Sequence, residues 1–217
     1  MSAVTELSVN PLSGRRKQAA ANDRVILEAA REVFISDPTA PIAAVARRAG
    51  VGISALYRRY ASKEELLRTL CGDGLQRFID ETRAALADER DPWTAFADFM
   101  GRAVDADTNS LTNALAGTFT PTPELWAQAT LANELLVELF ERTGAAGVLR
   151  PGIEVHDLSL IFGQLAAVRV GSQTRSRELR RRYLSLMLDA LNRPGADPPP
   201  GPAPAWDEIT GRLAAGE

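Results

Sequence analysis

A single cysteine, Cys71, and a single histidine, His156, stand in the 217 residues. No intramolecular disulfide can form, a Cys-rich zinc site lacks its parts, and one His far along the chain from the one Cys offers neither a metal cluster nor a strong triad signal. The chain has neither a Gly-x-x-x-x-Gly-Lys-Ser/Thr loop nor a Gly-x-Gly-x-x-Gly turn, so the common phosphate cradles are missing. No metal or other cofactor is expected and no catalytic residue is assigned, which leaves only carboxylate-only or cofactor-borne chemistry as enzymatic alternatives. Apolar runs are broken by charges well before about 18 residues, so no membrane span is expected. The first thirty residues carry no apolar run of signal-peptide length, and the expected setting is cytoplasmic. Sustained period-two alternation between tight-turn signals is also lacking, which argues against strands.

Excess basic charge is absent overall, since 25 basic residues face 28 acidic ones for a net charge of -3. The charge is polarised along the chain. Residues 1–70 hold 11 Lys and Arg against 7 Asp and Glu, a balance of +4, leaving 14 against 21, a balance of -7, for the remainder. Hydrophobic residues make up 45% and charged ones 24%, enough apolar surface for a packed core.

Proline marks where helices stop. Six of the 13 prolines lie in Pro194–Pro204, and Pro11 sits in a polar N-terminal stretch. The others, Pro38, Pro41, Pro92, Pro121, Pro123 and Pro151, fall between segments of helical periodicity. The expectation is an all-α chain of about nine helices. The first runs from an Asn22–Asp23 cap to Ile35, with Val25, Ile26, Ala29, Ala30, Val33 and Phe34 as its stripe. The others span about 41–49, 53–60, 62–87 from a Ser62/Glu65 capping box, 91–105, 110–116, 122–143, 155–170 and 175–191. Four regions are expected: a flexible tail at 1–21, a three-helix head at 22–61, a helical body at 62–192, and a Pro-rich linker with its tail at 193–217.

The segment Ile42-Ala-Ala-Val-Ala-Arg-Arg-Ala-Gly-Val-Gly-Ile-Ser-Ala-Leu-Tyr-Arg-Arg-Tyr60 places two short helices about Gly50. That is a helix-turn-helix, whose second helix enters the DNA major groove. Val45, Ala46, Val51 and Leu56 have the spacing to hold the pair together. Ser54, Ala55, Tyr57, Arg58 and Arg59 then point outward, as types that reach phosphates and base edges. Lys63 adds a cation. An ordinary helical hairpin with solvated arginines is the bland alternative.

These residues resemble the tetracycline-repressor (TetR) family of bacterial transcription regulators. The resemblance lies in Ile26-Leu-Glu-Ala-Ala-Arg-Glu-Val-Phe34, in Val45-Ala-Arg-Arg-Ala-Gly-Val51, and in Leu56-Tyr-Arg-Arg-Tyr-Ala-Ser-Lys-Glu-Glu-Leu-Leu67. It implies phosphate contacts from Tyr57 and Lys63 and base-edge positions for Ile53, Ser54, Ala55, Arg58 and Arg59. Where the family carries Thr at the start of the second helix, this chain has Pro41, which removes one phosphate contact; Thr39 is the hydroxyl on hand to replace it. The resemblance further implies a ligand-binding and dimerising helical body, hence a ligand-responsive regulator, expected to be a repressor that is released from a palindromic double-stranded operator by a small, largely apolar effector. The alternative is a helical small-molecule carrier or enzyme that has lost DNA binding.

Within the body, Phe78, Trp93, Phe96, Phe99, Met100, Phe119 and Trp126 either line an effector cavity or are plain core. Leu158, Ile161, Phe162 and Leu165, followed by Leu179, Tyr183 and Leu186, form broad apolar faces expected to pair in a homodimer. Arg15-Arg16-Lys17 reads equally as a DNA-reaching arm or a solvated tail, and the run Arg175, Arg177, Arg180, Arg181, Arg182 as a solvated, ion-paired face. His156 is expected as a cap or surface residue, and Cys71 as a small buried hydrophobe.

Overall fold

The computed structural model describes residues 11–107, 115 and 118–215. Among these residues the chain is wholly helical, with nine α-helices and no strand. It divides after Lys63 into two compact units, a head and a body.

The head comprises α1 (Pro11–Ser36), α2 (Ile42–Ala49) and α3 (Ile53–Arg59). Helix α1 starts well before the expected Asn22–Asp23 cap, and residues 11–21 are helical where a flexible tail was expected. Two features of sequence explain the difference. Pro11 is pre-set for a first helical position, and the Gln18-Ala-Ala-Ala21 run offsets the modest cost of Asn22 and Asp23 in a helix interior. The basic triplet Arg15-Arg16-Lys17 therefore rides on the helix backbone of α1. Ile26, Ala29, Ala30 and Phe34 form its buried stripe, whereas Val25, expected in that stripe, is exposed. Ile42, Val45 and Ala46 of α2 close the head core together with Leu56 of α3 and Tyr60.

The body begins in α4 (Lys63–Leu86) and continues through α5 (Pro92–Ala106), α6 (Pro123–Ala145), α7 (Asp157–Ala166), α8 (Gln173–Leu191) and α9 (Trp206–Ala215). The expected helix at 110–116 lies outside the described residues except for Leu115, which is helical and buried. Helix starts are fixed by side chains that satisfy otherwise orphaned N–H groups. Asp91 accepts from Thr94 N (2.9 Å), Thr122 from Leu125 N (3.3 Å) and Ser172 from Arg175 N (3.2 Å). At the other end of α4 a cation completes the carbonyls: Arg142 donates to Ala85 O (3.1 Å), Leu86 O (2.7 Å) and Asp88 O (2.5 Å).

The body core is built on α5, which packs on α6, α7 and α8. Phe96, Phe99, Met100, Leu136, Leu139, Leu158, Phe162, Leu165, Leu184 and Leu191 are buried in one cluster. Phe78, Phe99 and Phe162 meet edge to face, with centroids 5.4, 6.2 and 6.5 Å apart.

The expected free linker at 193–217 is instead an arm laid on the body and closed by a helix. Arg150 Nε donates to Asp197 O (2.7 Å), and the Trp206 ring stacks on His156 with centroids 5.6 Å apart. Gly152 lies at φ 75°, and a Cβ there would come within 2.7 Å of Pro198 Cβ. Only glycine combines that backbone with that approach. Proline rules out helix in the arm but does not rule out docking.

Candidate nucleic-acid interface

The turn between α2 and α3 is made by backbone geometry. Gly50 sits in the left-handed region at φ 67°, and Val51 N donates back to Ala46 O (3.0 Å), closing the C-terminus of α2. Ala55 N and Leu56 N then donate to Gly52 O (2.9 and 3.1 Å), starting α3 one residue beyond the turn. Leu56 is fully buried and Tyr60 nearly so, which fixes the rotation of α3 about its axis. Its opposite face presents Ile53, Ser54, Ala55, Tyr57, Arg58 and Arg59, all exposed, with Tyr57 at 50%. A seven-residue helix presents this much surface because only Leu56 faces inward.

The charges on this face are not equivalent. The Arg59 guanidinium is ion-paired with Asp23 of α1. Asp23 was expected as a cap, and its role as a tether for Arg59 has no local signal in sequence because the partners are 36 positions apart. Arg58 enters no described ion pair. At the end of α2, Arg48 is held by Glu32 (2.5 Å) and Arg47 is exposed. Arg58 is thus the cation of α3 whose charge is uncommitted among the described residues.

Thr39 and Lys63 are both built into the loop before α2. Thr39 donates its N–H and its hydroxyl to Asp37 Oδ1 (2.9 and 2.6 Å). Those two bonds, aided by the Lys63 charge, hold the Asp37 carboxyl below its ordinary range. Lys63 Nζ donates to Pro38 O (2.9 Å) and lies 5.1 Å from the Phe34 ring centroid. The ammonium expected at a phosphate therefore also braces the loop. Pro41 occupies the cap position of α2, with φ -71°, and supplies no side-chain bond there.

Residues 26–70 match the family described as bacterial regulatory proteins, tetR family. That stretch of the chain is similar to the tetR family. Among curated relatives, the HTH-type transcriptional repressor LfrR of Mycolicibacterium smegmatis is 31% identical over 124 residues, a stretch covering 55% of this chain and 63% of that protein. Among solved structures, the TetR regulator SCO0520 of Streptomyces coelicolor is 28% identical, with a TM-score of 0.56 over 80% of this chain and 99% of that one. A TetR regulatory protein of Mycobacterium vanbaalenii is 26% identical, with a TM-score of 0.55 over 82% and 99%. The LfrR structure with proflavine, from Mycobacterium smegmatis, shares the fold at 23% identity and a TM-score of 0.56, over 76% and 95%.

Two sets of residues in the body are placed differently from expectation. Phe96, Phe99 and Met100 are fully buried and packed on Phe78, Phe162 and Trp93, the plain-core arrangement of the two alternatives. Phe119 and Trp126 are half-buried and outside that cluster. A groove of about 510 Å³ does open, between α5 and α8, and Trp93 alone of the expected set lines it. Leu158, Phe162 and Leu165 are likewise spent in the chain's own core and leave no side chain for a second copy. The helical period misled because α7 buries the face on which all three lie. Ile161 and Leu179 are half-buried, and Tyr183 and Leu186 are 47% and 56% exposed.

Three arginines of the basic run of α8 are ion-paired. Arg175 binds Glu178 (2.9 Å), as expected of a solvated face, and Arg181 grips Asp105 with two bonds (2.7 and 2.5 Å). Arg180 departs from that expectation: it is buried, and it pairs with Asp107 (2.6 Å), the left-handed residue that ends α5. No described helix is long and apolar enough to cross a membrane.

Proposed function

We propose that the chain is a DNA-binding transcriptional regulator that reads double-stranded DNA with the exposed face of α3. The observation carrying the reading is that face itself: Ser54, Tyr57 and Arg58 stand out from a helix pinned by Leu56, in a head that matches the tetR family. Hydroxyls and a free guanidinium are the donors that reach phosphates and guanine edges. In this reading Arg58 reads bases, Tyr57, Lys63 and Thr39 meet phosphates, and Ile53, Ser54 and Ala55 set the apolar and steric fit. Arg59 positions α3 through Asp23.

The protein acts as a homodimer on a palindromic operator, since two heads reading half-sites must be related by a twofold axis. Tyr183 and Leu186 supply the exposed apolar surface for that pairing. It acts as a repressor, a role supported by the relative named as one, and is released by a small, largely apolar molecule taken up by the body. The proflavine complex of LfrR supports the effector.

Fluorescence anisotropy with duplex DNA from upstream of the protein's own coding region tests the reading. Saturable binding that weakens linearly in log K against log salt is expected. Equal affinity for a duplex and for neutral polymer, or no binding at 50 mM salt, overturns it.

A further inference from the structure

We propose that the N-terminal part of α1 is a second DNA contact, an arm that grips the phosphates beside the half-site read by α3. The proposal rests on the reading of α3 as the DNA-reading helix. Helix α1 runs on beyond the part that packs in the head. Its described buried stripe begins at Ile26 and its tether to α3 is the Asp23–Arg59 ion pair, yet residues 11–22 continue the same helix N-terminally. At about 1.5 Å per residue that stretch reaches about 18 Å past the tether. Arg59 is the last residue of α3, so the arm starts at the end of the helix that enters the groove. Position 16 stands about two turns before Asp23 and so falls on the side of α1 that meets α3.

Charge selects the ligand. Residues 11–22 contain Arg15, Arg16 and Lys17 and no Asp or Glu. Elsewhere arginines pair with a carboxylate one turn away, as Arg24 does with Glu28, Arg68 with Glu64 and Arg77 with Asp73. The positions three and four residues to either side of Arg15, Arg16 and Lys17 carry no carboxylate, so the triplet has no such partner on its own helix. Helix stability does not call for these cations either. The first turn of α1 has no acidic residue, and positive charge near a helix N-terminus opposes the macrodipole. A cationic run that burdens its own helix, and that continues from the end of α3, matches the phosphate backbone of the DNA that α3 reads. Ala19, Ala20 and Ala21 favour unbroken helix between triplet and head, which makes the arm a rigid extension. Phosphates recur about every 3.4 Å along one strand, so an arm of about 18 Å spans about five of them.

The test uses the full chain and the triple variant Arg15→Gln, Arg16→Gln, Lys17→Gln. Glutamine keeps helix propensity, and the described core of the head begins at Ile26, so thermal unfolding is expected to be unchanged. Anisotropy titrations with upstream and scrambled duplexes are run at 50 and 200 mM salt. The variant is expected to weaken both duplexes by the same factor and to lower the salt slope by about 2.7 per bound head, about 0.9 for each lost cation. That slope makes the loss about 40-fold larger at 50 mM than at 200 mM salt. Hydroxyl-radical footprinting is expected to show about three to five base pairs of backbone beside each half-site protected by wild type and open in the variant. A slope change below about 1, or identical footprints, overturns the proposal and leaves the triplet a solvated tail. Weakening confined to upstream DNA overturns it too, since a phosphate contact cannot tell sequences apart. Absence of wild-type DNA binding sinks the regulator reading and the arm together, whereas wild-type binding matched by the variant sinks the arm alone.

Discussion

Arg58 and Arg59 are neighbours of the same type on one short helix, and the geometry assigns them different work. Arg58→Ala removes an exposed side chain from α3 without touching Leu56, so the head should keep its stability to within about 0.5 kcal/mol. Its effect belongs to the complex with DNA. Loss of a base-reading arginine costs about 1–3 kcal/mol, or about 5- to 140-fold in operator affinity, with discrimination relaxed at one position of each half-site. Arg59→Ala should behave otherwise, because its guanidinium is held by Asp23 and both side chains keep some exposure, 43% and 24%. A double-mutant cycle of Asp23→Ala and Arg59→Ala is expected to give a coupling of about 0.2–1 kcal/mol in head stability. Asp23→Ala alone frees a cation on the DNA-facing helix. It should strengthen binding to unrelated duplexes and steepen the salt slope by about 0.9. Anisotropy titrations of the four proteins, on operator and scrambled DNA at three salt concentrations, separate these outcomes. If Arg58→Ala leaves operator affinity within twofold and specificity intact, or if Arg59→Ala alone relaxes base preference, the division of roles is wrong.

Phe99→Ala in the body should cost about 3–5 kcal/mol, because Phe99 is fully buried between Phe78 and Phe162; calorimetry should show a fall in Tm of about 6–20 °C. Asp107→Ala should cost about 3 kcal/mol by stranding the buried Arg180, whereas Arg180→Met leaves a part-exposed carboxylate and should cost markedly less in urea unfolding. Asp88, held down to about 2 by its bonds from Arg90, gives stability that is present above its ordinary value of 3.8 and lost as pH falls toward 2. Acid unfolding between about pH 4 and pH 2 should therefore be shallower in Arg90→Ala. Leu186→Glu, on the exposed face of α8, should shift the protein to monomer in light scattering and weaken operator binding without lowering the stability of the monomer.

The head was legible because its signals are local. Gly50, the buried spacing of Val45, Ala46 and Leu56, and the outward Tyr57-Arg58-Arg59 all lie within 15 residues, and each acts through backbone geometry or one short stripe. Helix ends in the body were legible for the same reason, as at Asp91-Pro92 and Thr122-Pro123. What sequence left hidden depends on partners far along the chain. Whether Phe99 lines a cavity or fills one is settled by Phe78 and Phe162, and whether Leu165 faces a second copy or its own core is settled by the face α7 buries. Arg180 reads as one of five exposed cations until Asp107 is brought beside it. The arm at 193–205 was misread because proline reports only that a segment is not helical; its docking depends on Gly152, Arg150 and His156.

The central claim is that α3 enters the major groove as one of a symmetric pair. Dimethyl sulfate protection on upstream DNA tests this most directly, because it reads guanine N7 in that groove. The expected result is two protected guanine clusters, related by a dyad and centred one helical turn, about 34 Å, or a multiple of it apart, with protection weakened at one guanine of each cluster in Arg58→Ala. Full DNA occupancy without guanine protection, or one asymmetric cluster unchanged by Arg58→Ala, would contradict it.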